Sequence, residues 1–189
     1  MVARNFRASM FNRQASDPKN KPDEILKILD LQKGQTVADI GSGGGYFCLR
    51  FAEAVGEEGK VYAVDMNAQF LEFIGRVAKE KGLGNIETVL VSNGDPVLPE
   101  KGLDLIFLRN VYHHLPNRVS YFEKLRSKLK PEGRVAVVEY KRGKRFTFHG
   151  MFGHSVQKEL IIEEMNKAGY RTLQELDFLS AQSFTIFSV

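Results

Sequence analysis

The sequence predicts an α/β fold: a doubly wound seven-stranded sheet, mostly parallel, with an antiparallel C-terminal strand and helices on both faces. Three observations carry that expectation. The β-branched, apolar run TVADI at residues 36–40 breaks at Gly41, Gly43, Gly44 and Gly45, and helical spacing begins at Tyr46. Apolar runs then alternate with helix-period stretches, the pattern of repeated βαβ units. Near the end, Phe184, Thr185, Ile186 and Phe187 suit an antiparallel strand beside a half-covered face.

The chain has 189 residues, of which 43% are hydrophobic. That suits one domain with a full core, assigned here to residues 23–189, after an N-terminal arm at 1–22. The arm carries Arg4, Arg7 and Arg13 with no acid before Asp17 and reads as a mobile basic segment. Neither a transmembrane run nor an apolar secretory leader is visible, so a cytoplasmic location is expected. A net charge of +4 permits an anionic partner without demanding nucleic acid. The single cysteine, Cys48, leaves no internal disulfide and no multi-cysteine metal site. It reads as a small core residue on the first helix of the glycine motif.

Taken in order, the elements follow from local pattern. Residues 23–31 form a short helix through Ile25, Leu26, Ile28 and Leu29, closed by Lys33 and Gly34. The helix after the glycines runs through Val55, and residues 60–65 make the second strand. Residues 68–81 carry Phe70, Leu71, Ile74, Val77 and Ala78 on one helical face, with Asn67 available as its cap. Strands at 86–91 and 103–108 follow; the second is almost uninterruptedly apolar, as a central parallel strand should be. Residues 118–129 read as a helix, 130–133 as a turn, and 134–140 as the fifth strand. A helix at 155–167 and closing strands at 170–179 and 183–189 complete the chain. The last strand is apolar enough either to serve as an edge for a second copy or to lie covered within the fold.

Glycines between a strand and a helix let backbone lie flat against a ligand at a helix N-terminus. The dinucleotide fingerprint needs a third glycine where Tyr46 or Cys48 stands, and the phosphate-binding loop ending in Gly-Lys-Ser/Thr is absent. Instead Asp39 precedes Gly41 by two residues, where an acid orients the turn and attracts a ligand's ammonium but repels a diphosphate. A second acid, Asp65, ends the second strand twenty residues past Gly45. In a βαβ unit an acid at that place faces a ribose.

The stretch Asp39-Ile40-Gly41-Ser42-Gly43-Gly44-Gly45, combined with Asp65, resembles the first motifs of class I (Rossmann-like) S-adenosylmethionine-dependent methyltransferases of the type 11/25-like kind. Lys130-Pro131-Glu132-Gly133 is similar to a turn that precedes their fifth strand. The resemblance implies S-adenosyl-L-methionine as cofactor, bound by Asp39, Gly41, Ser42, Gly43, Gly45 and Asp65, with Met66 against the adenine. It also implies an acid or amide for the adenine's amine, either Asn93 or Asp95. The strand end that includes Asn110 would border the sulfonium.

Tyr112, His113 and His149 are candidates for the acceptor pocket, with His154, Glu139 and Tyr140 behind them. His113 and His114 adjoin, but neighbouring side chains diverge and no third ligand lies near in sequence, so no metal is expected. The basic, aromatic segment 141–154 follows the fifth strand and would suit a lid over the acceptor. A small-molecule or lipid-like, amphipathic acceptor leads. RNA or an anionic membrane surface is compatible with the charge but not favoured. The other readings are an RNA methyltransferase, an NAD-dependent oxidoreductase and a catalytically silent cofactor-binding module.

Overall fold

A computed structural model describes residues 3–92, 95–141 and 155–189. The chain divides into two compact units, Met1–Leu98 and Pro99–Val189. Its strands form a seven-stranded sheet in the order β3-β2-β1-β4-β5-β7-β6, numbered along the chain as follows.

In the first unit, β1 (Thr36–Ile40), β2 (Lys60–Asp65) and β3 (Ile86–Leu90) pair in parallel. Val37, Ala38, Val61 and Ala63 have no solvent exposure, which is the reason these apolar runs are strands buried on both faces. The register sets Asp39 opposite Ala63, and Asp65 opposite Leu90. Both acids therefore stand at or next to the carboxyl ends of their strands.

Among its described residues this unit has the α-helices α1 (Ala3–Ser16), α2 (Pro22–Leu29), α3 (Tyr46–Val55) and α4 (Ala68–Glu80). Proline opens α2, where its missing N–H costs no hydrogen bond. Asp30, in the left-handed region at φ 46°, ends α2 before the expected stop at Lys33 and Gly34. Asn67 caps α4, its side chain accepting from the Gln69 N–H, as its residue type predicts.

The N-terminal segment departs from expectation: it is the helix α1 rather than a mobile arm. Ala8 and Ala15 are buried and Phe11 and Asn12 half-buried, a stripe at i, i+3, i+4 and i+7. That stripe packs α1 against α3 and α4, with Phe11 edge-on to Phe70 at 5.5 Å.

In the second unit, β4 (Leu103–Arg109) and β5 (Leu129–Tyr140) are parallel. β7 (Gln182–Ser188) runs antiparallel to both β5 and β6 (Arg171–Leu176). Leu105, Ile106, Phe107 and Leu108 are wholly buried, each contributing about 1.5–3 kcal/mol of transfer free energy.

Two expectations fail beside this strand. The turn expected at 130–133 lies inside β5, as a register shift opposite Leu103 and Leu105. Gly133 permits it, since a Cβ there would lie 2.8 Å from the Leu103 carbonyl. The helix expected to reach 129 stops as α5 (Arg118–Arg126), because Leu129 is already paired with Leu103. The last helix, α6 (Lys158–Lys167), starts three residues later than Ser155 suggested, after Gln157. Finally, β7 is an interior strand and β6 the exposed edge, so the closing strand offers no edge to a second copy.

Candidate active site

In the first unit the turn between β1 and α3 takes its shape from glycine. Gly41, Gly43 and Gly45 have φ of 72°, 54° and 82°, angles that L side chains rarely adopt. At Gly45 a Cβ would also lie 2.5 Å from Ile74 Cγ1 on α4. Gly44 is required for another reason: its Cβ would collide with the Ala8 carbonyl and the Asn12 amide of α1. The turn is thus closed against α1 on one side and α4 on the other.

Asp65 ties this turn to the end of β2. Its Oδ2 accepts the Gly43 N–H and its Oδ1 the Asn67 N–H, each at 2.9 Å. Asn12 of α1 accepts the Tyr46 N–H at 3.0 Å, satisfying one of the free donors at the start of α3. Sequence reasoning missed Asn12, although the Ala8–Phe11–Asn12–Ala15 spacing is that of one helical face.

Asp39 is buried, with the Cys48 thiol donating to its Oδ2 at 2.9 Å. Burial pushes the Cys48 thiol well above its ordinary value, and the negative Asp39 adds to the effect. Cys48 is therefore an inert core residue, as expected. Among the described residues Ser42 Oγ is buried without a hydrogen-bond partner, an arrangement that costs free energy unless a further group meets it. Met66 is 77% exposed beside Asp65, so core filling does not explain it. Asp95 is exposed beyond β3. Asn93 lies outside the described residues, as do His149, His154 and the segment expected to form a lid.

In the second unit, Asn110, at φ 55°, follows β4 and accepts from the Gln182 amide at 2.6 Å. His113 sits in the turn after it. Its Nδ1 is 3.1 Å from Glu139 Oε1 near the end of β5, and its backbone N–H points at Glu139 Oε2 at 3.3 Å. Glu139 has no solvent exposure and also accepts the Tyr140 N–H at 2.8 Å. The His114 ring packs against His113 at 4.0 Å. The buried Glu139 side chain thus fixes the orientation of the His113 ring.

Tyr112 does not suit the acceptor pocket predicted for it. It is wholly buried, and its hydroxyl donates to Glu164 Oε2 at 2.9 Å. Arg118 grips the same carboxylate through Nε and Nη2, both at 2.7 Å, and lies over the Tyr112 ring. Burial, reinforced by the negative Glu164, drives the phenol far above its usual value. Tyr112 is part of a structural network linking α5 and α6.

Among the described residues, no three His, Cys, Asp or Glu side chains converge as metal ligands. Nor is any described helix long and apolar enough to cross a membrane.

Residues 31–177 match a family described as a methyltransferase domain, and the chain belongs to that family. It is 23% identical over 130 residues to the demethylmenaquinone methyltransferase of Geobacillus kaustophilus, covering 69% of this chain and 56% of that protein. It is 26% identical over 147 residues to protein-L-isoaspartate O-methyltransferase 2 of Archaeoglobus fulgidus, covering 78% and 58%. The chain thus spans little more than half the length of these curated relatives. A SAM-dependent methyltransferase from Aquifex aeolicus has the same fold, with a TM-score of 0.84 at 23% identity over 96% of this chain and 98% of that one.

Proposed function

We propose that this chain is an S-adenosylmethionine-dependent methyltransferase acting on a small-molecule or lipid-like acceptor. The observation that carries the reading is the Asp65 carboxylate hydrogen-bonded to the glycine turn, in a chain of the methyltransferase family. A carboxylate has about four lone-pair sites. Backbone N–H groups engage one on each oxygen of Asp65, leaving acceptor capacity for two ribose hydroxyls. Ser42 Oγ gains a partner when a polar ligand fills the turn. The residues of this region therefore fit the cofactor.

In this reading Gly41, Ser42, Gly43 and Gly45 hold the amino-acid end with Asp39 behind them. Met66 covers the adenine and Asp95 or Asn93 meets its amine, while Asn110 borders the reactive group. Bound, the cofactor supplies a methyl carbon activated by a sulfonium leaving group. The chain's own work is to orient the acceptor and exclude water, which is worth roughly 7–11 kcal/mol of barrier when alignment is good. His113, held at Nδ1 by Glu139, is then the candidate group for taking up a proton from an acceptor that must lose one.

Relatives that bear the name demethylmenaquinone methyltransferase support this acceptor class. The reading also places the chain in the cytoplasm. Calorimetry with S-adenosylhomocysteine on ligand-free protein tests the cofactor: absence of binding removes the reading. Asp65→Ala should weaken binding about 10- to 100-fold, the loss of charge-assisted hydrogen bonds. Methyl release across a panel of metabolites and lipids then tests the acceptor.

A further inference from the structure

Charge is distributed unevenly along this chain. The first 21 residues hold Arg4, Arg7, Arg13, Lys19 and Lys21 against the single acid Asp17, and so account for the whole formal net charge of +4. The remaining residues carry acids and bases in equal number. Most of the asymmetry falls on α1, which contains no acid at all.

Apolar residues occupy both sides of this helix. Ala8, Phe11 and Ala15 lie on its packed side. Phe6 is nevertheless 71% exposed and Met10 47% exposed. At ~100° per residue, Arg13, Phe6 and Met10 fall within about 60° of one another, roughly opposite Ala8 and Ala15. Arg7 lies on the other side of Phe6 and Met10, and both arginines are exposed. The solvent side of α1 therefore carries two adjacent apolar side chains, Phe6 and Met10, with a guanidinium on each flank and the exposed Ser9 and Gln14 beside them.

We propose that the outer face of α1 docks onto an anionic lipid surface. An interfacial helix buries large apolar side chains at the headgroup boundary while its basic residues meet anionic lipid. Phe6 and Met10 supply the first element and Arg7 and Arg13 the second. Met10 favours lipid over single-stranded nucleic acid, because bases stack on aromatic and guanidinium planes and a flexible thioether offers none. Charge balance elsewhere in the sequence leaves no net negative charge to repel an anionic surface.

Docking in this manner leaves the packed side of α1 intact. Asn12 keeps its hold on the Tyr46 N–H, and the Ala8 carbonyl stays against Gly44. The helix that closes the glycine turn would then be the helix that meets the membrane. Delivery of a lipid-like acceptor to that turn rests on the methyl-transfer reading; the docking itself does not.

Co-sedimentation of the full chain with phosphatidylcholine vesicles, with and without phosphatidylglycerol, tests the proposal without any activity measurement. Wild type should partition onto the anionic vesicles at least tenfold better, and high salt should reverse the gain. Arg7→Gln with Arg13→Gln should lose about fivefold per arginine, about 25-fold together. Phe6→Ser with Met10→Ser should abolish most binding while leaving the thermal midpoint and S-adenosylhomocysteine affinity unchanged, since both side chains are exposed. Equal partition of wild type onto the two vesicle types would overturn the proposal, as would undiminished binding by either double variant. So would single-stranded RNA binding that matches vesicle binding and survives the Phe6 and Met10 changes, which would make the face a nucleic-acid surface instead.

Discussion

A carboxylate with no solvent exposure needs partners for its lone pairs, and Glu139 finds them at the end of β5 and in the turn after β4. It accepts from the Tyr140 and His113 backbone N–H groups and lies at hydrogen-bond distance from the His113 ring. Two of these three contacts are to His113, one to its backbone and one to its ring, which makes Glu139 a positioning residue for His113. His113→Asn should lower kcat by about 10²–10⁴-fold while S-adenosylhomocysteine affinity stays unchanged. Glu139→Gln keeps an oxygen for Nδ1–H and should retain more activity than Glu139→Ala. Single-turnover rates measured beside calorimetric affinities check this, and equal rates for the Gln and Ala variants would count against the positioning role. At this scale the sequence revealed whatever covalent spacing dictates. Asp65 follows the glycines by a fixed stretch of chain, and its hydrogen bond to Gly43 comes from that connection. The environment of Tyr112 was not legible, because it depends on Glu164, 52 residues away in sequence.

Helices α5 and α6 are held by a charge pair that also sets an acid limit on the fold. Burial alone would raise the Glu164 pKa. The Arg118 and Tyr112 hydrogen bonds outweigh that effect and hold it below the ordinary carboxylate range. A carboxyl with a depressed folded-state pKa adds stability that is fully present above its unfolded value, about 4.3. That stability is lost as pH falls through the folded value. Glu164→Gln should therefore cost about 1–3 kcal/mol near neutrality, where it strands the Arg118 guanidinium. The gap from wild type should narrow below about pH 4 as Glu164 protonates. Urea melts across that range check the sign, and a gap that widened on acidification would exclude Glu164 as the group responsible. Element type was legible wherever apolar periodicity was strong, as in α4 and β4. It failed at α1, where arginines and outward Phe6 and Met10 obscured the packed stripe. It failed again at residues 130–133, where Lys-Pro-Glu-Gly chemistry signals a turn but pairing with β4 absorbs the irregularity.

Across the whole molecule, stability should be graded by strand position. The sheet order leaves β3 and β6 outermost. Both show it in their side chains: β3 has no buried residue and β6 has none either, whereas β4 and β7 are buried almost throughout. The alternation at 184–187 indicated a closing strand, and its apolar character suggested an edge. Burial decides the matter: Ser183 and Thr185 are buried along with Phe184 and Ile186, and a strand buried on both faces belongs inside a sheet, between β5 and β6. Exposed edge strands open locally at less free-energy cost than strands bonded on both sides. In each compact unit the slowest amide exchange should therefore fall on the inner strands, β1 and β2 in the first, β4, β5 and β7 in the second. The quickest strand exchange should fall on β3 and β6. Hydrogen–deuterium exchange of the full chain reads this directly. Protection of β6 equal to that of β7 would mean that something covers the outer edge in solution, and a second copy of the chain could then be sought by light scattering.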